Sequence, residues 1–304
     1  MNEIIYSIII PHKNCPQLLQ RCLDSIPHRE DTQIIVVDDN SDQDKVDFKN
    51  FPGLTRPNTE VYFEKVGKGA GYSRNVGMLH AKGKWLMFAD ADDTFTDCLN
   101  DILDKYKNDD HHDMVILNAQ RVNEFGEVKS NFSLNRYIAN YRRNRIYSEK
   151  VVRYGFWTPW SRMVKRKMVE DNSIRYEEIP VGNDMMFCLN CSKFSKYLAV
   201  EEHPVYRYVH PDGRSLTASY RRTEEAQREL FKLFLRAEDL CKTVGYIFRP
   251  TPLAVYYKAF FRRDENNKKM WRIFKESMKL NRCSYLKESF FLLVLFIGKL
   301  LKVI

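Results

Sequence analysis

The chain has 304 residues, of which 44% are hydrophobic, and carries a formal net charge of +9 at pH 7. This length allows one large core with a smaller appended region, because a domain usually holds roughly 100–200 residues. The positive charge favours anionic partners, but the basic clusters are scattered and no nucleic-acid module surrounds them, so we expect diphosphates or acidic lipid head groups rather than nucleic acid.

Strand-like and helix-like segments alternate through the N-terminal half of the chain. Apolar runs predict strands at 6–10, 33–37 and 61–63, and the spacing of apolar residues predicts helices at 16–26 and about 68–80. Uninterrupted apolar strands are typical of parallel sheets that are buried on both faces, and a parallel pair needs a crossover of this kind. The pattern therefore predicts strand–helix–strand units.

An apolar strand at 85–88 leads directly to three carboxylates, Asp90, Asp92 and Asp93. Like charges this close repel one another, so they persist where water solvates them or where a hard cation with oxygen ligands neutralises them. A solvated acidic turn is the alternative. Ligands of open α/β sheets bind outside the carboxyl ends of the strands, and this position favours a binding role for the cluster.

Five segments, in this order along the chain, resemble the signature of the family 2 glycosyltransferases: IIIPHKN at 8–14, IIVVDDNS at 34–41, GAGYSRN at 69–75, AKGKWLMFADADD at 81–93 and GNDMMF at 182–187. Members of this family are inverting enzymes that use nucleotide-sugar donors. The resemblance implies the GT-A fold, a Rossmann-like, mostly parallel α/β sheet between helices, over residues 1–217. Residues 218–304 would then form a helical C-terminal extension.

The resemblance also implies where a nucleotide-sugar donor and its metal bind. Asp92 is expected to ligate Mn²⁺ or Mg²⁺ directly, and Asp90 to contact the ribose or a metal-bound water. A metal that bridges the phosphates stabilises the negative charge of the leaving diphosphate. Asp39 is expected to hold the nucleobase, usually uracil, and Pro11 and Lys13 to line the same pocket.

Gly69 and Arg74 lie where a loop enters a helix. Free backbone N–H groups and the helix dipole favour an anion there, and the Arg74 guanidinium adds a charge-assisted donor. With the family resemblance, Gly69 and Arg74 are expected to contact the donor or its phosphates. An ordinary helix start is the alternative for this segment.

Two further aspartates have more ambiguous roles. Asp38 follows the second strand and either takes part in binding or caps the loop by accepting backbone N–H bonds. Asp93 is expected to orient its loop rather than to ligate the metal.

Asp184 is the expected catalytic base, because an attacking hydroxyl group needs a base to take its proton. The family usually has Glu-Asp at this point, whereas this chain has Asn183 and Asp184. The base is retained, and the missing carboxylate at Asn183 puts in doubt any contact that it would make to acceptor hydroxyls. A helix start with Asn183 as N-cap and Asp184 near the positive end of the dipole is an alternative that is compatible with catalysis.

Two later segments are candidates for contacts with the acceptor or for closing the site. Trp157 and Trp160 occur in the segment that family members use for acceptor binding, where the rings either stack on a sugar or pack in the core. His210 either reaches the metal or the phosphates or is structural, and Arg214 is a candidate for closing a loop over the diphosphate.

The pattern becomes helical beyond about residue 217, with a helix predicted over 224–243. The last segment, 285–304, contains an apolar run at 290–297 that is too short for the roughly 20 residues that span a bilayer. We expect it to form an amphipathic helix on an anionic membrane surface. Docking on the core or on a second subunit is the alternative.

The seven cysteines form no disulfide framework, and the N-terminus lacks a secretion signal. These features predict a protein of the reducing cytoplasm. Cys188 and Cys191 form a lone C-x-x-C without a second pair for a zinc site, so we expect both to pack in the core.

Together these features predict a cytoplasmic, metal-dependent glycosyltransferase, peripheral on the inner face of the plasma membrane. It would transfer a hexosyl or N-acetylhexosaminyl group from a UDP-sugar to a glycan or lipid-linked acceptor in surface polysaccharide synthesis. A nucleotidyltransferase is one alternative, although it would carry a glycine-rich loop where this chain has Pro11 to Pro16. The other alternative is a non-catalytic module that binds a nucleotide-sugar or a polysaccharide. Asn183, in place of the usual Glu, is the only residue that favours it.

Overall fold

A computed structural model of the chain describes residues 3–123, 125–128, 132–209, 223–247, 272, 275, 276, 278 and 279. The strands are β1 (Tyr6–His12), β2 (Thr32–Asp39), β3 (Thr59–Glu64), β4 (Trp85–Phe88), β5 (Thr94–Phe95), β6 (Met114–Val122), β7 (Arg162–Lys165) and β8 (Leu198–Val209). The α-helices are α1 (Pro16–Asp24), α2 (Ala70–His80), α3 (Cys98–Tyr106), α4 (Ser133–Arg143), α5 (Arg145–Tyr154), α6 (Arg166–Asp171), α7 (Met185–Phe194) and α8 (Glu224–Thr243).

The strands form one mixed sheet in the order β3-β2-β1-β4-β7-β6-β8-β5. The first four strands of this order pair in parallel, and so do β6 and β8. Strand β7 lies antiparallel between β4 and β6, and β5 is antiparallel to β8. Because two antiparallel steps restore the original direction, the carboxyl ends of β1, β2, β4, β6 and β8 lie at the same edge of the sheet. The predicted α/β fold is confirmed.

Strands β1 and β2 extend two residues beyond their predicted ends. Proline has no N–H group to donate, which usually excludes it from a central strand. Strand β4 pairs with β1 only as far as Ile9, so Pro11 lies beyond the end of that ladder and pairs in register with Val37 of β2. The extension carries His12 and Asp38 into register with each other at the edge of the sheet.

Helix α2 packs directly on β1 and β2. A Cβ atom at Gly77 would lie 2.4 Å from Cγ2 of Ile9, so only glycine lets this helix approach the sheet so closely. The same contact fixes where the N-terminus of α2 lies along the strands, relative to the strand ends. A packing requirement at Gly77 thus positions the loop that precedes Ala70.

The chain divides into two compact units, Met1–Ser215 and Leu216–Ile304, whereas the sequence predicts a boundary after residue 217. In the second unit, α8 occupies the predicted residues 224–243 and buries one face. In the first unit, Cys188 and Cys191 are fully buried and free, as the packing interpretation predicts.

No helix within the described part of the chain is both long enough and apolar enough to cross a membrane. The predicted terminal segment 285–304 lies outside the described residues.

Candidate active site

A buried hydrogen-bond network joins the carboxyl ends of β1 and β2. Nδ1 of His12 donates to Oδ1 of Asp38 at 2.7 Å, and Nε2 of His12 accepts the backbone N–H of Cys15 at 3.1 Å. Because Nε2 acts as an acceptor, the ring is neutral with its proton on Nδ1. The Asp38 carboxylate also accepts the N–H of Ser41 at 2.9 Å and its hydroxyl at 2.5 Å. Asp38 therefore caps the loop, and His12 is a partner that the sequence pattern did not reveal.

The predicted donor residues Lys13, Asp39 and Gly69 lie together beside this network. Both carboxylate oxygens of Asp39 accept the backbone N–H of Gly69 at 3.0 Å. The ammonium of Lys13 lies 3.1 Å from the carbonyl oxygen of Asp39 and 3.6 Å from Oδ2. A Cβ atom at Gly69 would meet nothing within 4 Å, so glycine is needed there for its φ of +89°. The contact of Asp39 and Pro11 with a nucleobase stays a prediction.

Asp93 anchors the acidic loop that follows β4. Its Oδ2 accepts the hydroxyl of Tyr206 at 2.9 Å, and its Oδ1 accepts the backbone N–H of Val209 at 2.7 Å. The Tyr206 oxygen also accepts the N–H of Asp90 at 2.9 Å. Burial, together with the charge of Asp90, raises the pKa of Asp93 well above its usual value. Asp93 thus ties the loop to the end of β8, which agrees with an orienting role.

We expect Tyr206→Phe to lower the free energy of unfolding by about 1–3 kcal/mol, because it leaves the buried Asp93 carboxylate with one donor fewer. Chemical denaturation measures this loss. The backbone N–H of Asp90 should also exchange faster with solvent, since its acceptor is removed. Tyr6→Phe is a matched control, because the buried hydroxyl of Tyr6 donates to the carbonyl of Leu103, and Tyr6 is in register with Trp85, at the end of β4 opposite to the loop. Unchanged exchange at Asp90 in Tyr206→Phe would contradict the anchoring role.

Asp90 and Asp92 are the carboxylates of this loop that remain accessible. The Asp90 side chain is 33% exposed, and Asp92 is exposed. Desolvation by nearby protein atoms and the charge of Asp90 raise the pKa of Asp92 to about 6, although part of its surface faces solvent. Two carboxylates this close suit a hard divalent cation, which takes oxygen ligands and would offset the repulsion between the carboxylates. The described residues contain no cluster of three or more His, Cys, Asp or Glu side chains arranged to hold a metal ion.

Arg74 connects the acidic loop to the segment before α7. Its NH2 group donates to Oδ1 of Asp90 at 2.6 Å, and NH1 donates to Oδ1 of Asn183 at 3.1 Å. Its side chain is only 6% exposed. Burial alone would lower the pKa of Arg74, but Asp90 and the other negative groups nearby together outweigh it and the net shift is upward. The predicted contact of Arg74 with a donor phosphate is not tested by these bonds and stays a prediction.

Gly71 has a packing function in the same region. A Cβ atom there would lie 2.3 Å from the carbonyl oxygen of Glu177 and 3.0 Å from Cβ of Asn183. Glycine therefore allows α2 to touch the segment that carries Asn183. This contact places Arg74 within reach of the Asn183 amide.

Asp184 is the residue at which α7 begins, and it is partly exposed. It is the N-cap residue itself, whereas the sequence suggested Asn183 for that position, and its side chain makes no capping bond to the helix. The Asn183 amide instead accepts from Arg74. Asp184 also lies close enough to Arg74 to contribute, after Asp90, to raising the pKa of Arg74 against burial. Asp184 and the acidic loop thus both interact with Arg74.

The two tryptophans differ in their surroundings. Trp160 is 3% exposed, and its ring stacks on Tyr206 with centroids 4.9 Å apart and on Tyr208 with centroids 5.6 Å apart. This placement favours core packing for Trp160. Trp157 is partly exposed, and its indole N–H donates to the carbonyl of Tyr154 at 2.6 Å. The other two candidates, His210 and Arg214, lie outside the described residues.

The fold and the carboxylates at its strand ends define the class of this protein. The chain superimposes on the crystal structure of Staphylococcus aureus TarS 1–349 in complex with UDP-GlcNAc with a TM-score of 0.65, at 17% identity, over 91% of this chain and 81% of that one. It also matches the mannosyltransferase PcManGT from Pyrobaculum calidifontis in complex with GDP-Man and Mn²⁺ with a TM-score of 0.54, at 15% identity, over 98% of this chain and 81% of that one. These likenesses establish the GT-A fold.

The family follows from the sequence. The model of glycosyl transferase family 2 matches residues 7–172, which is more than half of the chain, and the chain belongs to this family. The predicted family is thereby confirmed, with the first four motifs inside the matched range, and the nucleotidyltransferase alternative is not favoured.

Two relatives are similar to this chain over 224 residues each. The chain is 26% identical over 224 residues to the poly(ribitol-phosphate) beta-glucosyltransferase of Bacillus spizizenii, covering 70% of this chain and 34% of that protein. It is 22% identical over 224 residues to the poly(ribitol-phosphate) beta-N-acetylglucosaminyltransferase TarS of Staphylococcus aureus, covering 71% of this chain and 37% of that protein. The chain therefore spans little more than a third of the length of these two relatives.

Proposed function

We propose that this protein transfers a sugar, with inversion, from a UDP-sugar to a hydroxyl group of a glycan, polyol-phosphate or lipid-linked acceptor in surface polysaccharide synthesis. The observation that carries this proposal is the pair of bonds made by Arg74. They join Asp90, on the acidic loop, to Asn183, the neighbour of the candidate base. The acidic loop and the start of α7 thus meet at one arginine, and an inverting transfer needs a base close to the groups that bind the donor.

The donor side of the site comprises the ends of β1, β2 and β4. Asp39 is held by the Gly69 N–H and by Lys13, so its carboxylate is fixed before any nucleotide arrives. Fixed polar groups lower the cost of ordering a ligand. Structural neighbours bound to UDP-GlcNAc and to UDP support uracil as the base of the donor nucleotide.

We also propose that the site binds a divalent cation, Mn²⁺ or Mg²⁺. Asp92 would hold it directly, and Asp90 would contact it through water or hold the ribose. When bound, the cation would stabilise the negative charge that develops on the leaving diphosphate. The two accessible carboxylates of the loop support this assignment, as does the Mn²⁺ complex of the mannosyltransferase neighbour.

Asp184 is the proposed base. It would take the proton of the attacking hydroxyl group while the oxygen of that group forms a bond to the anomeric carbon. The bond between the anomeric carbon and the diphosphate breaks in the same step, and UDP leaves with the electron pair. Attack from the side opposite the diphosphate inverts the anomeric configuration.

The test is UDP release from a panel of UDP-sugars, with Mn²⁺ or Mg²⁺, in the presence and absence of polyol-phosphate and oligosaccharide acceptors. We expect one donor to give acceptor-dependent UDP release and a new glycosidic product. Release of the sugar 1-phosphate instead of UDP would indicate transfer of the uridylyl group. Saturable binding of UDP-sugars without UDP release under any of these conditions would indicate a non-catalytic module.

We further propose that the protein works in the cytoplasm, peripheral on the inner face of the plasma membrane, through residues 285–304. The apolar run at 290–297 and the three lysines Lys287, Lys299 and Lys302 support this. Each basic residue near an anionic surface contributes roughly 1 kcal/mol of attraction.

Deleting residues 285–304 should release the protein from anionic vesicles in a co-sedimentation assay and weaken transfer to a lipid-linked acceptor. Hydrolysis of the donor should not change, since no donor motif lies in this segment. A truncated protein that still binds vesicles but melts at a lower temperature, or changes its oligomeric state, would show that the segment packs against protein instead.

A further inference from the structure

The residues on both sides of Lys13 are bonded to the end of β2 and to the loop that follows it. On one side, Nδ1 of His12 donates to Oδ1 of Asp38 at 2.7 Å. On the other side, the backbone N–H of Asn14 donates to Oγ of Ser41 at 2.8 Å. The backbone that carries Lys13 is therefore held from both sides against the second loop.

Ser41 connects these two bonds to each other. While its oxygen accepts the Asn14 N–H, its hydroxyl donates to Oδ1 of Asp38 at 2.5 Å and its backbone N–H donates to Oδ2 at 2.9 Å. Burial alone would raise the pKa of Asp38, but its interactions with His12 and Ser41 together outweigh that effect and the net shift is downward. The cluster of His12, Asp38 and Ser41 is thus built around an ionised carboxylate, and hydrogen bonds to an ionised group are stronger than those between neutral groups.

The His12 ring is enclosed by protein. Its side chain is fully buried, Nε2 accepts the N–H of Cys15 at 3.1 Å, and the ring packs edge-on against Phe51 with centroids 5.0 Å apart. A histidine beside an aspartate can act as a general base, but a base must come within hydrogen-bond reach of the proton that it takes. Because both ring nitrogens are buried and engaged, His12 acts through the residues that it holds.

Lys13 and Asp39 meet beside this cluster. The Lys13 ammonium contacts the carbonyl oxygen of Asp39 at 3.1 Å, and both carboxylate oxygens of Asp39 accept the N–H of Gly69 at 3.0 Å. The Lys13 side chain is half-exposed and can therefore reach a ligand. A pair of groups that is already ordered does not have to be ordered at the expense of binding free energy.

We propose that His12, Asp38 and Ser41 are positioning residues for the donor, which join the loops after β1 and β2 and so set Lys13 against Asp39 before the nucleotide binds. This inference rests on the proposed function and adds residues that govern donor affinity without contacting the donor. Loss of such a residue raises the KM for the donor, whereas the rate at saturating donor is governed by the groups at the reacting atoms.

The first test is Ser41→Ala, which removes the hydroxyl that links Asn14 to Asp38. We expect UDP to bind about tenfold more weakly in titration calorimetry, as the loss of one hydrogen bond to a charged group predicts. The turnover number at saturating donor should stay within about twofold of the wild type. In the free protein, hydrogen exchange at the Gly69 N–H should be faster, because Asp39 is held less firmly.

Two substitutions at His12 separate the two bonds of its ring. Asparagine places an amide near the position of Nδ1, so His12→Asn can keep the bond to Asp38. Glutamine places its amide near the position of Nε2, so His12→Gln can keep only the bond from Cys15, which lies in the same loop as His12. His12→Gln should therefore weaken UDP binding as much as Ser41→Ala does, and His12→Asn should weaken it less. If either His12 variant fails to fold, Ser41→Ala decides the assignment.

Ser195→Ala is the matched control. Ser195 is 7% exposed and Ser41 is 6% exposed, and the Ser195 hydroxyl also bonds a charged group, since it accepts from Arg153 at 2.6 Å. Ser195 lies at the end of α7 opposite to Asp184. This variant should lose a similar amount of stability but keep the wild-type UDP affinity and the wild-type exchange at Gly69.

Three results would overturn the assignment: wild-type UDP affinity in both Ser41→Ala and His12→Gln, an equal loss of affinity in Ser195→Ala, or a lowered turnover number with unchanged UDP affinity in Ser41→Ala. If the wild type bound no UDP, the donor in the proposed function would be wrong, and exchange at the Gly69 N–H would decide the positioning role separately. Faster exchange in Ser41→Ala than in Ser195→Ala would support that role, and equal exchange would overturn it.

Discussion

Asp92→Asn is expected to reduce sugar transfer below detection while the protein remains folded. An amide is a much poorer ligand for a hard cation than a carboxylate, and Asp92 is the proposed direct metal ligand. Its side chain is exposed, so the substitution removes no buried contact of that side chain. Product formation measured over a range of Mn²⁺ or Mg²⁺ concentrations, together with the melting temperature, checks both parts of this expectation.

Two further variants should be compared with Asp92→Asn. Asp101→Asn on α3 changes an exposed carboxylate outside the acidic loop and should leave transfer unchanged. Asp90→Asn should be nearly as damaging as Asp92→Asn, and it should also lower stability, because it weakens the 2.6 Å ion pair with the buried Arg74. If the wild type kept its turnover after exhaustive chelation, the proposed role of the metal would be wrong.

Asp184→Asn is expected to lower the turnover number by something on the order of 10²–10⁴ with little change in donor affinity. Asparagine keeps the shape of the side chain at the start of α7 but cannot accept the proton of the acceptor hydroxyl. Steady-state kinetics with saturating acceptor, and a binding measurement with UDP, separate the two quantities. Loss of UDP affinity with an unchanged rate at saturation would place Asp184 on the donor side instead.

Asn183→Ala provides the structural control for the base. It removes the amide that Arg74 contacts at 3.1 Å but leaves the Asp184 carboxylate in the chain. If Asp184 is the base, Asn183→Ala should retain most of the turnover that Asp184→Asn loses. A loss as large as that of Asp184→Asn would show that the Arg74 contact, rather than proton transfer, limits the reaction.

The sequence alone was sufficient for several local elements and for the order of the motifs. Apolar runs predicted β1, β2 and β4, and the spacing of apolar residues predicted α8 at its observed ends. These patterns are readable because the periods of 2 and 3.6 residues are properties of neighbouring residues. The carboxylates of the acidic loop were predicted at a strand end for the same reason, and the order of five motifs identified the family.

Only the tertiary structure decided which side chains meet. Arg74 bonds Asn183 across 109 residues of sequence, and Tyr206 bonds Asp93 across 113 residues. Strand β7 was not predicted, although its antiparallel insertion between β4 and β6 makes the sheet mixed. Such pairings depend on strand order, on register and on close approach at glycines such as Gly71. None of these produces a periodic pattern in the sequence. The order of the motifs therefore identified the family, and the resemblance implied the candidate catalytic carboxylates, whereas long-range packing determined how those carboxylates are held.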